Sequence, residues 1–462
     1  MTFEITPSGS ESDGASQPND DQARFLRVSN ITDADIAAAG ASMLAFMREL
    51  YPLCRSITGP GLRATLQQIG GCVPLSLREV PTGTQVFDWT VPREWAIDEA
   101  YLEHEDGTRY IDFRDSNLHV VNYSAPVDAW MSLSDLRQRL HTLPHYPEWI
   151  PYRSSYYRED WGFCLSERVR QSLPDGRYHA VIRSRLYDGA LTLGEFFHAG
   201  STDEEVLVFA HTCHPSLCND NLSGIVVATQ LASFLKTRKT RYSYRFVFAP
   251  ATIGSITWMA FNEAHLGKIK HGLVLAMMGD SGPLHYVGSK TAMAEIDRAA
   301  GAVLRTCYPD GAVLKFSPWG FDERQFNSPG INLPVGRLTR ALTGEYPQEH
   351  TSADSPELMS EQALGESWRA CLRIFEALED NVRYINLAPK GEPQLGRRGL
   401  YRQTGGYYDG VADRQLALLW ILNLSDGKTS MLDIAERSGL EFGLLAQCAV
   451  DLSQAGLLAL AE

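Results

Sequence analysis

Across residues 31–69 apolar positions recur at helical spacing: Ile36, Met43, Phe46, Met47 and Leu50 fall near a 3.6-residue period, which residues 56–61 interrupt. The pattern changes over residues 80–123. There FDWTVPREWAIDEAYLEHEDGTRYIDF alternates apolar and polar positions around an Asp106-Gly107 turn, which predicts short antiparallel strands. From His145 an aromatic, proline-punctuated stretch, HYPEWIPYRSSYYREDWGF, predicts an ordered loop lining a cleft. From residue 179 to about 380, β-rich runs at 206–210, 244–248 and 272–277 alternate with helical segments, notably 223–235. Such alternation predicts an α/β fold: a mostly parallel-stranded, mixed sheet flanked by helices, with functional residues at the carboxyl ends of strands. A Pro/Gly-rich stretch at 384–408 reads as a linker. Beyond it, 416–422, 432–438 and 442–454 read as three short helices, and 456–458 as the start of a small wing.

Composition narrows the class. A chain of 462 residues implies two or three domains, and 44% hydrophobic residues are ample for burial. The net charge of -14 argues against nucleic acid as a partner. No apolar run reaches membrane-spanning length, so no membrane partner is expected. The polar, acidic N-terminus, MTFEITPSGSESDGASQPNDDQ, reads as a disordered leader over 1–30 and not as a secretory signal. Eight cysteines without regular spacing do not form a disulfide framework, so the expected compartment is cytoplasmic.

The sharpest chemical signal is VLVFAHTCHPSLCNDNLSG. A buried strand runs into His211, a short loop carries His214 and Asp220, and a helix follows. Imidazole nitrogen and carboxylate oxygen are zinc ligands. Taken alone, Asp220 reads equally well as a helix N-cap; two His and one Asp together at a strand end point to metal. GEYPQEHTSADS adds His350 as a further ligand, with Asp354 as the carboxylate holding its other ring nitrogen. Cys213 and Cys218 flank the loop and read as small buried hydrophobes rather than ligands.

These stretches resemble the AHxD, NDNxSG and YHTxxD motifs of co-catalytic zinc aminopeptidases and glutaminyl cyclases. More closely, LYPLCRSITGPG, FDWTVPREW, IPYRSSYY, HTCHPSLCNDNLSG, GFDERQFNSPG, EHTSAD, KGEPQLGRRGLY and LNLSDGKTSMLDIAERSGL resemble an uncharacterised aminopeptidase-like family often encoded near polysaccharide-biosynthesis genes. The resemblance implies a catalytic domain over 31–85 and 165–382, a small β insertion over 86–164, and a linker with a winged-helix domain over 383–462. It puts His211 at the first zinc His, Asp220 at the metal-bridging Asp and His350 at the last His.

Three departures matter. Cys213 stands where the aminopeptidases have the Asp that orients the first His. Ala251-Thr252-Ile253-Gly254 replaces EExG, removing the general-base Glu and the next ligand Glu. The later ligand Asp aligns with Ala276, with Asp280 four residues on. The remaining set favours one Zn²⁺ over two, held by His214 or His211 with Asp220 and His350. The close family implies a Glu at position 251, and whether Ala251 is a natural loss or a replacement stays open. Asp322, Glu323 and Glu349 are alternative proton-transfer groups. Arg324 or Arg340 would take a substrate carboxylate, and Tyr156 would wall the cleft.

The implied function is a zinc-dependent peptidase or amidohydrolase, an exopeptidase on a small peptide or amino-acyl conjugate, with its general base replaced by Ala251. The alternative is a catalytically silent metal- and peptide-binding scaffold. In the winged module, EFGLLAQCAVDLSQ carries no basic residue for a DNA groove, so protein contact or homo-oligomer formation is the expected role.

Overall fold

The computed structural model describes residues 27–342, 344–401 and 411–461. Its centre is an eight-stranded sheet whose strands, in chain order, are β1 (Ser76–Pro81), β2 (Ala190–His198), β3 (Glu205–His211), β4 (Ser243–Ala249), β5 (Ile269–Leu275), β6 (His285–Val287), β7 (Val313–Leu314) and β8 (Val335–Thr339). Their spatial order is β1-β2-β4-β3-β5-β8-β6-β7. β4, β3, β5 and β8 run parallel, while β2 pairs antiparallel with β4, and β6 with β8. Every residue of β3 is buried, as a strand covered on both faces requires. Val206, Val208 and Ala210 face one core layer, and Leu207 and Phe209 the other.

The first layer is built by helices α1 (Asp33–Leu50), α2 (Gly224–Leu235) and α4 (Glu361–Glu379); α3 (Ile253–Asn262) lies in the second. α1 begins at a capping box, with the Thr32 side chain accepting from the Asp35 N–H and Asp35 returning a bond to the Thr32 N–H. It crosses α4 closely. A Cβ on Gly40 would sit 2.1 Å from the Glu361 carbonyl oxygen, so only glycine fits that crossing.

The insertion is a four-stranded antiparallel sheet in the order Arg109–Asp112, Glu94–His104, Arg177–Tyr187, Val127–Ser132. Its bounds differ from the expected 86–164. Arg177–Tyr187 is a central strand with Tyr178, Ala180 and Ile182 in its core, so the sheet closes only after residue 164. The expected linker also begins too early, because Arg383–Asn386 is already the middle strand of the C-terminal sheet. Around that sheet stand the helices Val411–Leu424, Met431–Ser438 and Phe442–Gln454. The expected leader 1–30 lies largely outside the described residues, but Val28–Asn30 forms a short helical turn, and the buried Val28 donates its N–H to Glu376.

The C-terminal module is packed against the rest of the chain. Leu432, Ile434, Phe442 and Leu445 share one hydrophobic core with Phe375 of α4. Arg298 is bonded to Asp433 and Glu436, and Arg373 lies 3.4 Å from Glu441 at the start of the Phe442–Gln454 helix. Among the described residues no helix is long and apolar enough to cross a membrane.

One buried cation holds the loop that follows β3. Arg55 is 1% exposed; its Nε donates to the His214 carbonyl at 2.7 Å, Nη1 to Leu50 at 2.6 Å and Nη2 to Pro215 at 2.9 Å. Burial lowers its pKa to about 10, which leaves it charged at neutral pH. Arg55→Met would strip three carbonyl oxygens of a charged donor. We expect it to lower unfolding free energy by about 3 kcal/mol, read by chemical denaturation; a loss below about 1 kcal/mol would show that the loop does not depend on this side chain.

Candidate metal centre

β3 ends on His211, and the following loop returns Asp220 beneath it before α2 begins. The Asp220 carboxylate is fully buried and three imidazoles converge on it. His211 Nε2 lies 2.8 Å from Oδ1, while His350 Nε2 and His214 Nε2 lie 2.9 and 3.9 Å from Oδ2. The N-cap alternative for Asp220 is therefore set aside, because its carboxylate is spent on imidazoles. Two overlapping groups of possible ligand atoms result: His211, His214 and Asp220, and Asp220, Glu349 and His350. His211 and His214 thus stand together in one group and do not exclude each other.

The loop geometry is set by polar contacts beneath it. The Asp354 carboxylate accepts the N–H of Asn219 at 2.6 Å and of Asp220 at 2.9 Å, and the Tyr346 hydroxyl at 3.3 Å. This differs from the expected role: Asp354 orients the backbone of Asp220 and does not hold the His350 ring. Asn219 and Asn221 complete the frame, with Asn219 donating to Asp280 and Asn221 to the Leu275 carbonyl at the end of β5. Asp280 is thereby committed to Asn219 and Gly282, outside both ligand groups. The Asp220-Asn221 peptide is cis, and His350 has a positive φ of 56°.

The electrostatics of Asp220 and His214 suit a ligand set. Burial works to raise the Asp220 pKa, but His214, His211 and His350 outweigh it and hold the carboxyl well below its ordinary range. Burial pushes His214 down to about 3, so its ring is neutral. Burial also pulls on His350, but the hydrogen bond to Asp220 overrides it and raises this half-exposed imidazole. An ionised carboxylate and neutral imidazoles are the forms that bind a metal. His211 Nδ1 is buried without a hydrogen-bond partner, which a bound cation and its ligand geometry would resolve. The donor set therefore fits zinc.

Position 251 adjoins this cluster. The Ala251 N–H donates to Cys213 Sγ at 3.2 Å, and the same sulfur lies 3.6 Å from His214 Nδ1. Cys213, at the expected orienting position, thus contacts His214 and not His211, and burial keeps its thiol protonated. Asp322 accepts from the Ser255 hydroxyl at 2.6 Å and the Thr252 N–H at 3.2 Å, and burial raises its pKa. Glu323 is buried 3.1 Å from Arg337, away from the free solvent a proton shuttle needs. Glu349, raised by burial and by Asp220, is the acid that groups with Asp220 and His350.

One expected substrate contact falls elsewhere. Arg340 is buried and spent on Ser367, the Gly282 and Ala363 carbonyls and Glu366, so it has no fork to offer a substrate. Arg324 makes no ion pair among the described residues, and its Nε is buried without a partner. Tyr156 sits behind the wall, its hydroxyl 2.7 Å from that of Tyr152. Tyr152 itself, unremarked in the sequence, sets its ring edgewise against His214 at 5.2 Å and His350 at 5.3 Å. Its segment is fastened to the His350 loop: Tyr152 N–H donates to the His350 carbonyl and Ser352 N–H to Ile150. Trp161 packs against the insertion's core.

The geometry and topology define the aminopeptidase-like class of α/β proteins. A zinc aminopeptidase from Bacillus subtilis shares the fold, with a TM-score of 0.55 and 12% identity over 73% of this chain and 94% of that one. Residues 44–381 match the family described as a domain of unknown function, DUF4910, and the chain belongs to that family; residues 382–460 match a winged helix-turn-helix. A Clostridium acetobutylicum protein named for polysaccharide biosynthesis and an aminopeptidase-like domain is 48% identical over 421 residues, covering 91% of this chain and 96% of that protein. A crystal structure from the same organism, described as a candidate peptidase, superposes with a TM-score of 0.88 at 46% identity, covering 94% of this chain and all of that one.

Because Asp354 fixes Asp220 through backbone N–H groups, Asp354→Ala should weaken zinc binding by about 10- to 100-fold. Competition against a chromogenic chelator reads this directly, and an unchanged affinity would show that the loop holds Asp220 without it.

Proposed function

We propose that the chain is a zinc-dependent peptidase or amidohydrolase that acts at the end of a small peptide or an amino-acyl conjugate. The observation that carries this reading is the convergence of His211, His214 and His350 on the buried Asp220 at the carboxyl end of β3. Those four residues would hold the ion, with one zinc favoured over two. Bound zinc would supply Lewis acidity toward the amide carbonyl and an activated nucleophile near neutral pH. The chain's own residues do the rest. Tyr152 and the His350 loop close one side of the cleft, Asp354 and Arg55 hold the ligand loop in place, and Phe321 packs flat on His211 at 5.3 Å.

Proton transfer is the weak step. Ala251 has no titratable group, and Glu349, which groups with Asp220 and His350, would take the role. A carboxylate in reach of the reacting water and the leaving amine contributes about 10²–10⁴-fold. Ala251→Glu should therefore raise amino-acid release from a peptide panel in the presence of zinc by about 10²-fold or more. No gain, with the basal activity lost in Glu349→Gln, would move the base to Glu349; no hydrolysis in any variant would leave the silent-scaffold reading. Metal analysis of the purified protein should find close to one zinc per chain, falling to background in Asp220→Ala. Two ions per chain would favour separate occupation of the two groups that share Asp220.

The winged module is read as a docked structural and protein-contact element. Its Phe442–Gln454 helix turns Phe442 and Leu445 into the shared core, and Glu441 at its start lies against Arg373. Cytoplasmic residence and a homo-oligomer through this module remain part of the same reading.

A further inference from the structure

Unsatisfied buried polar atoms gather on one wall beside the imidazole cluster. Asp322 Oδ2, Glu323 Oε2, Arg324 Nε and both Nε and Nη1 of Arg337 are buried without a hydrogen-bond partner. Each such atom costs about 1–3 kcal/mol, so a concentration of them on one wall calls for an explanation. Arg337 is the most informative. It is 3% exposed, and no guanidinium nitrogen donates a hydrogen bond to a described residue. Its single acid is Glu323, whose Oε1 lies 3.1 Å from Nη1 outside hydrogen-bond geometry.

The sheet register places this cation beside the site. Phe209 of β3 pairs with Val274 of β5, which pairs with Arg337 of β8. His211 follows Phe209 by two positions, so His211 and Arg337 project from the same face. Phe321 joins them: its ring stacks on His211 at 5.3 Å and lies 5.0 Å from the Arg337 guanidinium. Arg337 thus lies against Phe321, on the face that carries His211, with its buried Nε and Nη1 unused as donors. A planar fork with free donors in a buried setting is matched by a carboxylate, which accepts two parallel N–H bonds.

We propose that Arg337 is the specificity-determining residue of this cleft and receives a free carboxylate of the substrate. The substrate class is then a short peptide or amino-acyl conjugate carrying a carboxylate close to the scissile amide, and not an internal segment of a long chain. This rests on the hydrolase reading above.

Binding, read without turnover, tests it. The zinc-loaded full chain is titrated calorimetrically with tri-alanine and with its Glu-, Lys- and Phe-containing analogues, each as the free acid and as the C-terminal amide. At least one acid should bind about tenfold more tightly than its amide, and Arg337→Met should erase that difference while leaving the amide's affinity in place. Absence of an acid preference in every pair, or its persistence in Arg337→Met, overturns the proposal. Should Arg337→Met fail to fold, Glu323→Gln serves instead. Freed of its one acid, Arg337 should raise the acid-over-amide ratio by about threefold, and an unchanged or lower ratio counts against it. A lost carboxylate preference would leave the Ala251→Glu assay standing, and an inactive Ala251→Glu would leave the binding comparison intact.

Discussion

Everything in this site depends on one buried carboxylate. Asp220 has no access to water, and it stays ionised because imidazoles surround it. An isolated carboxylate so placed would cost several kcal/mol, so the loop, the strand end and the His350 segment are tied together by the need to compensate it. The ties are physical and separate. Arg55 holds the carbonyls of His214 and Pro215, Asp354 holds the N–H groups of Asn219 and Asp220, and the Tyr152 segment is bonded to the backbone at His350. Loss of any one loosens the position of a charge that the fold cannot leave exposed or unpaired.

Much of the architecture was legible in the chain because local pattern and tertiary demand agree there. β3 reads as a continuous apolar run and is buried on both faces, and α1 reads as an amphipathic stripe, although the break read at 56–61 lies beyond the helix end at Leu50. The boundaries failed where pairing is long-range. Arg177–Tyr187 and Arg383–Asn386 are short or half-exposed strands whose partners lie far away in sequence, so no local period marks them as belonging to their sheets.

The candidate site was legible in its ligands and not in its supports. His211, His214, Asp220 and His350 sit in dense motifs, and their spacing is chemical information. Arg55, Tyr152 and Arg337 carry no such mark. Each acts through a contact made by folding: a guanidinium under a loop 159 positions away, a ring against two imidazoles, a strand cation beside a stacked phenyl. Asp354 was noticed for the right type and given the wrong partner, because four residues of separation from His350 says nothing about the nearer approach of the Asn219 backbone. Arg340 was misjudged for the opposite reason: a charged residue near a strand end looks available until the Ala363 and Gly282 carbonyls are found to occupy it.

The fastening of the Tyr152 segment to the His350 loop has a further consequence. In many clefts the cover and the floor are separate bodies, so the opening can widen without disturbing the groups below. Here the cover is hydrogen-bonded to the backbone of a ligand, and Pro151 bridges to Thr351 beside it. Widening the mouth and displacing His350 are therefore one movement with one free-energy cost. In the proposed metal centre, a guest that pushed the Tyr152 segment outward would also shift His350, so the size of what it admits would be tied to the ligand geometry.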